Sequence, residues 1–461
     1  MAEADLDELR EQLADPAEVV SAHRKCTGAV NGRCDIVAAV RLKRALDDPE
    51  SVPGFGQMCA AGKQPADPTE YYFNPTRLLD ITLILEPESW EVLRREGFGG
   101  TACANAIFFL EIQCRFAGLF ALFATGQVPL PSPYNWYFAD VEIDDQIVEN
   151  IGARKKGFIG STFSARPSLK FDFPEFVKGQ RLNGLRRMTL NNNNQDNTRV
   201  RTCTNYRFLR DIGLPAPRCT LAHVQVNAED MGIYSSIDPI NSGLLARHFG
   251  DGNGRLYEGQ AADFIPSQAG NFQPKSQAAA DDTSEIEALT AAIQIADPEE
   301  RLAAIEGIVN VDSFLNLWAG EGIAGLWDGY VASANNFLFY IHPGTGLIEF
   351  IPWGADHGLG DQDFTHCTTG NELRTITPRS ALSLALYGSE TFRERLVERV
   401  EYVVENVWNP ERYIAEANRL NEMMGRAPSA MGGIKTWIAG RRARTRAEIA
   451  DGAPDISDLP D

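Results

Sequence analysis

"LWDGYVASANNFLFYIHPGTGLIEFIPWGADHGLGD", Leu326 to Asp361, holds two apolar runs separated by a turn composition. Phe337–Ile341 and Leu347–Trp353 have strand character and "HPGTG" between them supplies proline and glycine, so the stretch reads as loop, strand, turn, strand, loop. A hairpin brings its two open ends together. Asp328 and Asn336, just before the first strand, are therefore expected to face Asp356, just after the second, although Asp328 and Asp356 stand 28 positions apart. Phosphoryl transfer needs such a set: one carboxylate to orient or deprotonate the attacking hydroxyl, and a second carboxylate with an amide oxygen to hold a divalent metal against the phosphates. "WDG" and "ADHG" taken singly are also ordinary turn chemistry. Their pairing across one hairpin is what gives them a chemical reading.

Working outward from the hairpin, the chain divides into a strand-rich part and a helix-rich part. From "LLDITLILEPESWEVLRRE" through "WYFADVEID", "IVENIGARKKGFIGS" and "SLKFDF" the apolar residues alternate, which predicts a mostly antiparallel strand block. The asparagine-rich "LNNNNQDNTR" gives way to a helix of about fifteen residues ending near Gly213. "TLAHVQVN" and "MGIYSSID" then read as a hairpin with "AED" in its turn, and "SQAGNFQPKSQAAADDTS" as a mobile surface loop or insertion. From Glu285 to Glu448 the pattern is helical apart from the hairpin. The expected organisation is a helical or loop extension over 1–70 with a cysteine cluster, a strand-rich N-terminal lobe over 71–284, a helical C-terminal lobe over 285–450, and an acidic tail over 451–461.

Composition narrows the function classes. The chain has 461 residues, 44% hydrophobic, with 43 basic against 63 acidic residues and a formal charge of -20. That charge opposes binding to nucleic acid or anionic lipid and favours a basic partner. The longest apolar stretch, Ala104 to Ala124, is interrupted by Glu111, Gln113 and Arg115, so no membrane span is expected. The start, "MAEADLDELREQLADPAEVV", reads as an acidic helix without an apolar signal core. Among the eight cysteines no C-x-x-C pair occurs, which leaves zinc ribbons and thioredoxin-like chemistry without support. Cys26, Cys34 and Cys59 cluster in a loop-rich region; disulfides would place the mature chain outside the cytoplasm, secreted or at the cell surface, whereas buried free thiols would fit a cytoplasmic chain. "GDGNGRLYEG" fails the P-loop pattern for want of Gly-Lys-Ser/Thr and the EF-hand pattern at Arg255. His357, His366 and Cys367 with Asp361 and Asp363 match no zinc template, and no G-x-S-x-G appears.

Four stretches together resemble the CotH kinase family, atypical protein kinases named after a bacterial spore-coat protein. "NIGARKKGFIGS" is similar to the family's V-G-x-R-x-K-G-x-S, and "ARPSLKFDF" with "GLRRMTLNNNNQD" to K-x-S-φ-K-φ-x-F and G-φ-K-K-φ-x-L-N-N. "FLRDIGLPAPRCTLAHVQVNAEDMGIYSSID" is similar to F-R-D-A-G-V-P-A-P-R followed by V-N-G-E-Y-x-G-L-Y. "LWDGYVASANNFLFY" and "FIPWGADHGLG" resemble W-D-x-Y…N-Y-Y-L-Y and F-I-P-W-D-x-D-x-x-φ-G. The likeness runs in order from about residue 75 to 450. It implies an α+β, atypical protein-kinase-like bilobal fold that binds ATP with Mg²⁺ or Mn²⁺ and phosphorylates Ser or Thr of a protein substrate. Carried over by position, Asp328 is the catalytic Asp, Asp356 and Asn336 hold the metal, and Arg154, Lys156 and Lys170 are the cofactor-binding cations. Either lysine suits ATP phosphates; alternation of Lys170 with Leu169 and Phe171 favours it slightly.

The chain departs from that pattern at several positions. Ser333 stands where the family has a further Asn, Gly354 where it has the first Asp of P-W-D-x-D, and Thr202 where it often has Glu. Asp238 replaces a Glu and Glu258 often a Lys. These departures make a nucleotide-binding pseudokinase or surface-assembly scaffold the alternative reading, with AMP transfer by the same fold a third. The acidic chain suits a basic, Ser-rich protein substrate.

Overall fold

The computed structural model describes residues 67–97, 132–157, 164–259, 262–280, 282–360, 375–376, 378–427, 431–450 and 452–453. The expected N-terminal extension with Cys26, Cys34 and Cys59, the apolar stretch 104–124, most of the acidic tail, and Asp361, Asp363, His366 and Cys367 lie outside the described residues.

Alternation of apolar residues produces a closed barrel. β1 (Leu78–Ile84) is followed by α1 (Pro87–Arg95), then β2 (Tyr137–Ile143), β3 (Gln146–Lys156), β4 (Ser168–Asp172), β5 (Arg187–Asn191), α2 (Arg201–Asp211), β6 (Cys219–Val226) and β7 (Glu229–Ile237). The strand order is β1-β2-β3-β4-β5-β7-β6, antiparallel throughout except that β6 pairs parallel with β1 and closes the ring. Leu79, Ile81 and Leu83, Ile151 and Ala153, Leu169 and Phe171, and Met188 and Leu190 belong to one buried cluster inside it. Because strand side chains alternate between faces, the intervening Arg154, Lys156, Lys170, Arg187, Thr189 and Asn191 stand on the outer face of β3–β5. That row of cations is the barrel's contribution to the site.

After α3 (Ser242–Phe249), a second sheet forms from β8 (Arg255–Gly259), β9 (Gln273–Pro274), β10 (Phe337–Ile341) and β11 (Ile348–Pro352), in the order β11-β10-β8-β9. This sheet takes strands from both sides of residue 284. Between them run α4 (Ser284–Ile293), α5 (Pro298–Glu306), α6 (Val311–Ala324) and the single turn α7 (Tyr330–Ser333); beyond them lie α8 (Ala381–Tyr387), α9 (Glu390–Tyr402), α10 (Pro410–Met423) and α11 (Gly432–Ile449). The helices pack with the second sheet in a larger cluster centred on residues such as Phe314, Trp318, Phe339 and Phe350.

Three expectations are corrected in detail. The β6–β7 turn is Asn227-Ala228, with Asn227 at φ +53, so Glu229 and Asp230 are already in the strand. α2 is shorter than expected at 11 residues, ending before Gly213, which takes φ +91. The segment read as a mobile loop is instead packed: Phe272 is 5% exposed and inserts against Phe264 and Phe339, and the Tyr257 hydroxyl donates to Ala279 O at 3.0 Å. Its polar composition concealed one buried aromatic anchor. A disulfide, Cys203–Cys219, which the sequence gave no reason to pair, ties α2 to β6.

Candidate active site

The hairpin closes as its composition suggests, with Phe337 opposite Pro352 and Ile341 opposite Ile348. The ladder runs one step further at its open end, where Trp353 N donates to Asn336 O at 3.1 Å. Ala334 and Asn336 both adopt left-handed backbone, φ +49 and +47, a costly conformation for alanine in particular. The turn so made aims two amides at one acid: Asn335 Nδ2 donates to Asp328 Oδ1 at 3.0 Å, and Asn336 Nδ2 to Asp328 Oδ2 at 2.6 Å. Burial pushes the Asp328 carboxyl up from its ordinary range and Asp356 adds to this, while the Asn335 bond, the His357 ring and the Asn336 bond pull it down. The Asp356 charge thus acts on Asp328, 28 positions before it in the chain.

Asp356 sits on a turn fixed from behind by α2. Asn205, fully buried, donates from Nδ2 to Ala355 O at 3.0 Å and to His357 O at 2.6 Å. The neighbouring Tyr206 is also fully buried, and burial followed by the Asp356 charge pushes its hydroxyl upward. Asp356 Oδ2 accepts from Asn191 Nδ2 at 3.3 Å, which joins the turn to the barrel's outer face. His357 is 4% exposed, lies beside Trp327 with ring centroids 4.9 Å apart and planes tilted by 58°, and its buried Nδ1 has no hydrogen-bond partner among the described residues.

The cations face this turn from β3 and β4. Arg154 lies opposite Lys170 in the ladder and rests on the Trp136 ring at 4.4 Å. Lys156 is 5.7 Å from the Trp353 ring; burial pushes its amine down, and the Asp356 and Glu258 charges oppose that. Lys170 is pushed down to about 7, first by burial and then by Arg154, Arg187 and Lys275, with Glu258 opposing. Glu258, on β8, also forms an ion pair with Lys275. Lys155, between Arg154 and Lys156 in sequence, turns the other way: it is fully buried and donates from Nζ to Arg94 O at 2.9 Å and Glu96 O at 2.8 Å, holding the last carbonyls of α1.

The structure therefore gathers Asp328, Asn336, Asp356 and Lys156, with Lys170 and Arg154 one strand register away. Among the described residues no group of three or more His, Cys, Asp or Glu is placed to hold a metal ion. The Asp356 carboxylate and the Asn336 side-chain oxygen are hard oxygen donors, which fit Mg²⁺ when substrate phosphates and water complete its shell. Sequence reasoning missed Asn335, Asn191, Asn205, Arg187 and His357 as members of the site. The run "NNNNQD" was legible as a loop, but nothing local shows that its first asparagine reaches Asp356, 165 residues on.

The profile of the family described as "CotH kinase protein" matches residues 153–437. The chain belongs to this family. The matched range begins in the middle of β3, so β1 and β2 of the CotH chain's barrel precede it. A curated relative, the inner spore coat protein H of Bacillus subtilis (strain 168), is 24% identical over 247 residues, which is 51% of this chain and 67% of the relative.

Three of the positions that depart from the CotH pattern are accounted for by local contacts. Gly354 takes φ +63, and a Cβ on it would stand 2.6 Å from Asn336 Cγ; the space that a side chain at 354 would need is filled by the Asn336 amide that holds Asp328. Ser333 donates its hydroxyl to Gly329 O at 3.1 Å, inside α7. Asp238 is bound by Arg218 at 2.7 Å and by Arg247. Thr202 is buried at 1% exposure, its hydroxyl without a hydrogen-bond partner among the described residues, and nothing in the structure explains it.

Proposed function

We propose that this CotH-family protein is an ATP- and Mg²⁺-dependent protein Ser/Thr kinase with a bilobal, kinase-like arrangement. The observation that carries the reading is the meeting of Asp328, Asp356 and Lys156 at the open end of one hairpin. Asp328 orients the acceptor hydroxyl and takes its proton, its carboxylate steered by the two asparagine amides. Asp356 and Asn336 hold the metal, which when bound neutralises charge on the phosphates. Lys156, with Lys170 and Arg154 beside it, receives the phosphate oxygens; burial pushes both lysine amines down, so each gains from a polyanion that supplies counter-charge. The formal charge of -20 supports a basic protein as acceptor. The name of the relative, an inner spore coat protein, supports a setting in which a surface layer is assembled.

The test uses ATP labelled separately at the γ- and α-phosphates, Mg²⁺ or Mn²⁺, a basic Ser-rich acceptor, and the Asp328→Ala and Asp356→Ala variants. Transfer from the γ position alone, lost in both variants, is the expected result. Transfer from the α position would replace the kinase reading with AMP transfer. Nucleotide binding without transfer by the unmutated chain would leave a scaffold, and full activity in Asp356→Ala would overturn the metal assignment.

A further inference from the structure

Glu321, near the end of α6, takes part in none of the contacts described above, yet it is 3% exposed and carries a carboxyl group. Its acceptors are filled by main-chain amides: Tyr330 N donates to Oε1 at 3.1 Å and Val331 N to Oε2 at 2.9 Å. Its own backbone carbonyl accepts from Leu326 N at 2.8 Å. Gly329 lies against the carboxyl so closely that a Cβ there would stand 2.4 Å from Glu321 Cδ and 2.5 and 2.6 Å from its two oxygens. Leu326, Gly329, Tyr330 and Val331 thus all rest on one residue, and Asp328 lies between them.

A buried carboxyl is costly to keep, because it loses hydration and must find every hydrogen bond in the protein. Among the described residues no basic side chain pairs with Glu321. Burial pushes its carboxyl up and the Asp328 charge adds to the rise, while the Val331 and Tyr330 amides, one on each oxygen, pull it back towards the ionised form. A Gln or Leu of similar size would fill the volume with no buried acid. What the acid adds is two acceptor oxygens on a rigid arm, matched to two consecutive main-chain amides. Gly329 fits the same geometry, since any side chain there would displace the carboxyl.

We propose that Glu321 is the positioning residue for Asp328: its carboxyl fixes the backbone of residues 326–331 and so sets the direction in which Asp328 is presented to the acceptor hydroxyl. Its consequence for rate rests on the phosphoryl-transfer reading; its consequence for the loop does not. A displacement of about 1 Å in a catalytic group is enough to lower a rate by about 100-fold.

The experiment compares the full chain with Glu321→Gln, which keeps the volume but sets an amide N–H against a main-chain N–H, and Glu321→Asp, which keeps both oxygens on a shorter arm. Mg-ATP stoichiometry by calorimetry, kcat and KM for ATP, and hydrogen exchange of the peptide covering 326–333 are read on each. In Glu321→Gln the stoichiometry and KM should stay within about twofold, kcat should fall at least about 10-fold, and exchange of 326–333 should speed up by a similar factor. Glu321→Asp should recover part of both losses. A kcat within twofold of the parent would overturn the proposal, as would a fall in kcat with exchange unchanged, or a stoichiometry that falls in step with kcat. If the unmutated chain transfers no phosphate, the kinase reading fails and exchange alone decides: faster exchange in Glu321→Gln supports the positioning role, and unchanged exchange overturns it.

Discussion

Lys170→Met should make the nucleotide-free protein more stable while weakening its hold on ATP. Lys170 stands between buried Leu169 and Phe171, and burial together with Arg154, Arg187 and Lys275 pushes it from 10.5 down to about 7. At about 1.4 kcal/mol per pH unit, that drop corresponds to about 5 kcal/mol against folding for the charged form. Its side chain is not wholly sealed from water, so about 2–4 kcal/mol is the expected gain on replacement by methionine, which has a similar shape and no charge. The sign follows from proton counting. Below about pH 7 the lysine is charged in both states and the full penalty applies; between about 7 and 10.5 the unfolded chain holds a proton that the native one has lost, so native stability climbs with pH. Above 10.5 the penalty is gone. Chemical denaturation of both proteins at pH 7 and pH 9.5 measures this: the advantage of Lys170→Met should be largest at pH 7 and shrink towards pH 9.5. Mg-ATP should then raise the parent's stability more than the variant's, because the phosphates supply the missing counter-charge. A variant within about 0.5 kcal/mol of the parent at pH 7, or an advantage that does not change with pH, would refute the argument.

Two further predictions follow from local geometry. Gly354→Asp, which brings the chain closer to the family pattern, should lower activity: it costs about 1–2 kcal/mol for the left-handed backbone and drives Asn336 off Asp328, seen as a lower melting temperature and a reduced kcat. Loss of Cys203–Cys219, which closes a loop of sequence separation 16, should cost about 3 kcal/mol, measured as the difference between the parent and the Cys203→Ser/Cys219→Ser pair in guanidinium denaturation under non-reducing conditions. Because the bridge anchors the helix that carries Asn205 and Tyr206, phosphate transfer should fall together with stability.

Much of the site was legible because hairpins are local objects. Two apolar runs and a proline-glycine turn predict a hairpin that brings the loops before and after it to one end, and the structure pairs the strands, with Phe337 opposite Pro352. Period-two alternation likewise places Arg154, Lys156 and Lys170 on one face of the strands. The two lysines of "RKK" have opposite fates for the same reason: Lys155 points inward to the carbonyls at the C-terminal end of α1, and Lys156 points outward towards Asp356. Gly354 is the instructive case. As a sequence it looks like a lost acid, and as a structure it is the gap into which Asn336 fits.

What the sequence by itself determined was the set of local elements and the pairing of the two loop ends that flank one hairpin. Only the tertiary structure decided which distant groups support them: Asn205 behind the Asp356 turn from 150 residues away, Asn191 beside it, Glu321 under the Asp328 loop, and the parallel β1–β6 pair that closes the barrel. The physical reason is that side-chain period and turn chemistry are properties of neighbours along the chain. A buried amide or carboxyl acquires its role from whichever main-chain groups the packing of the whole core leaves unsatisfied beside it.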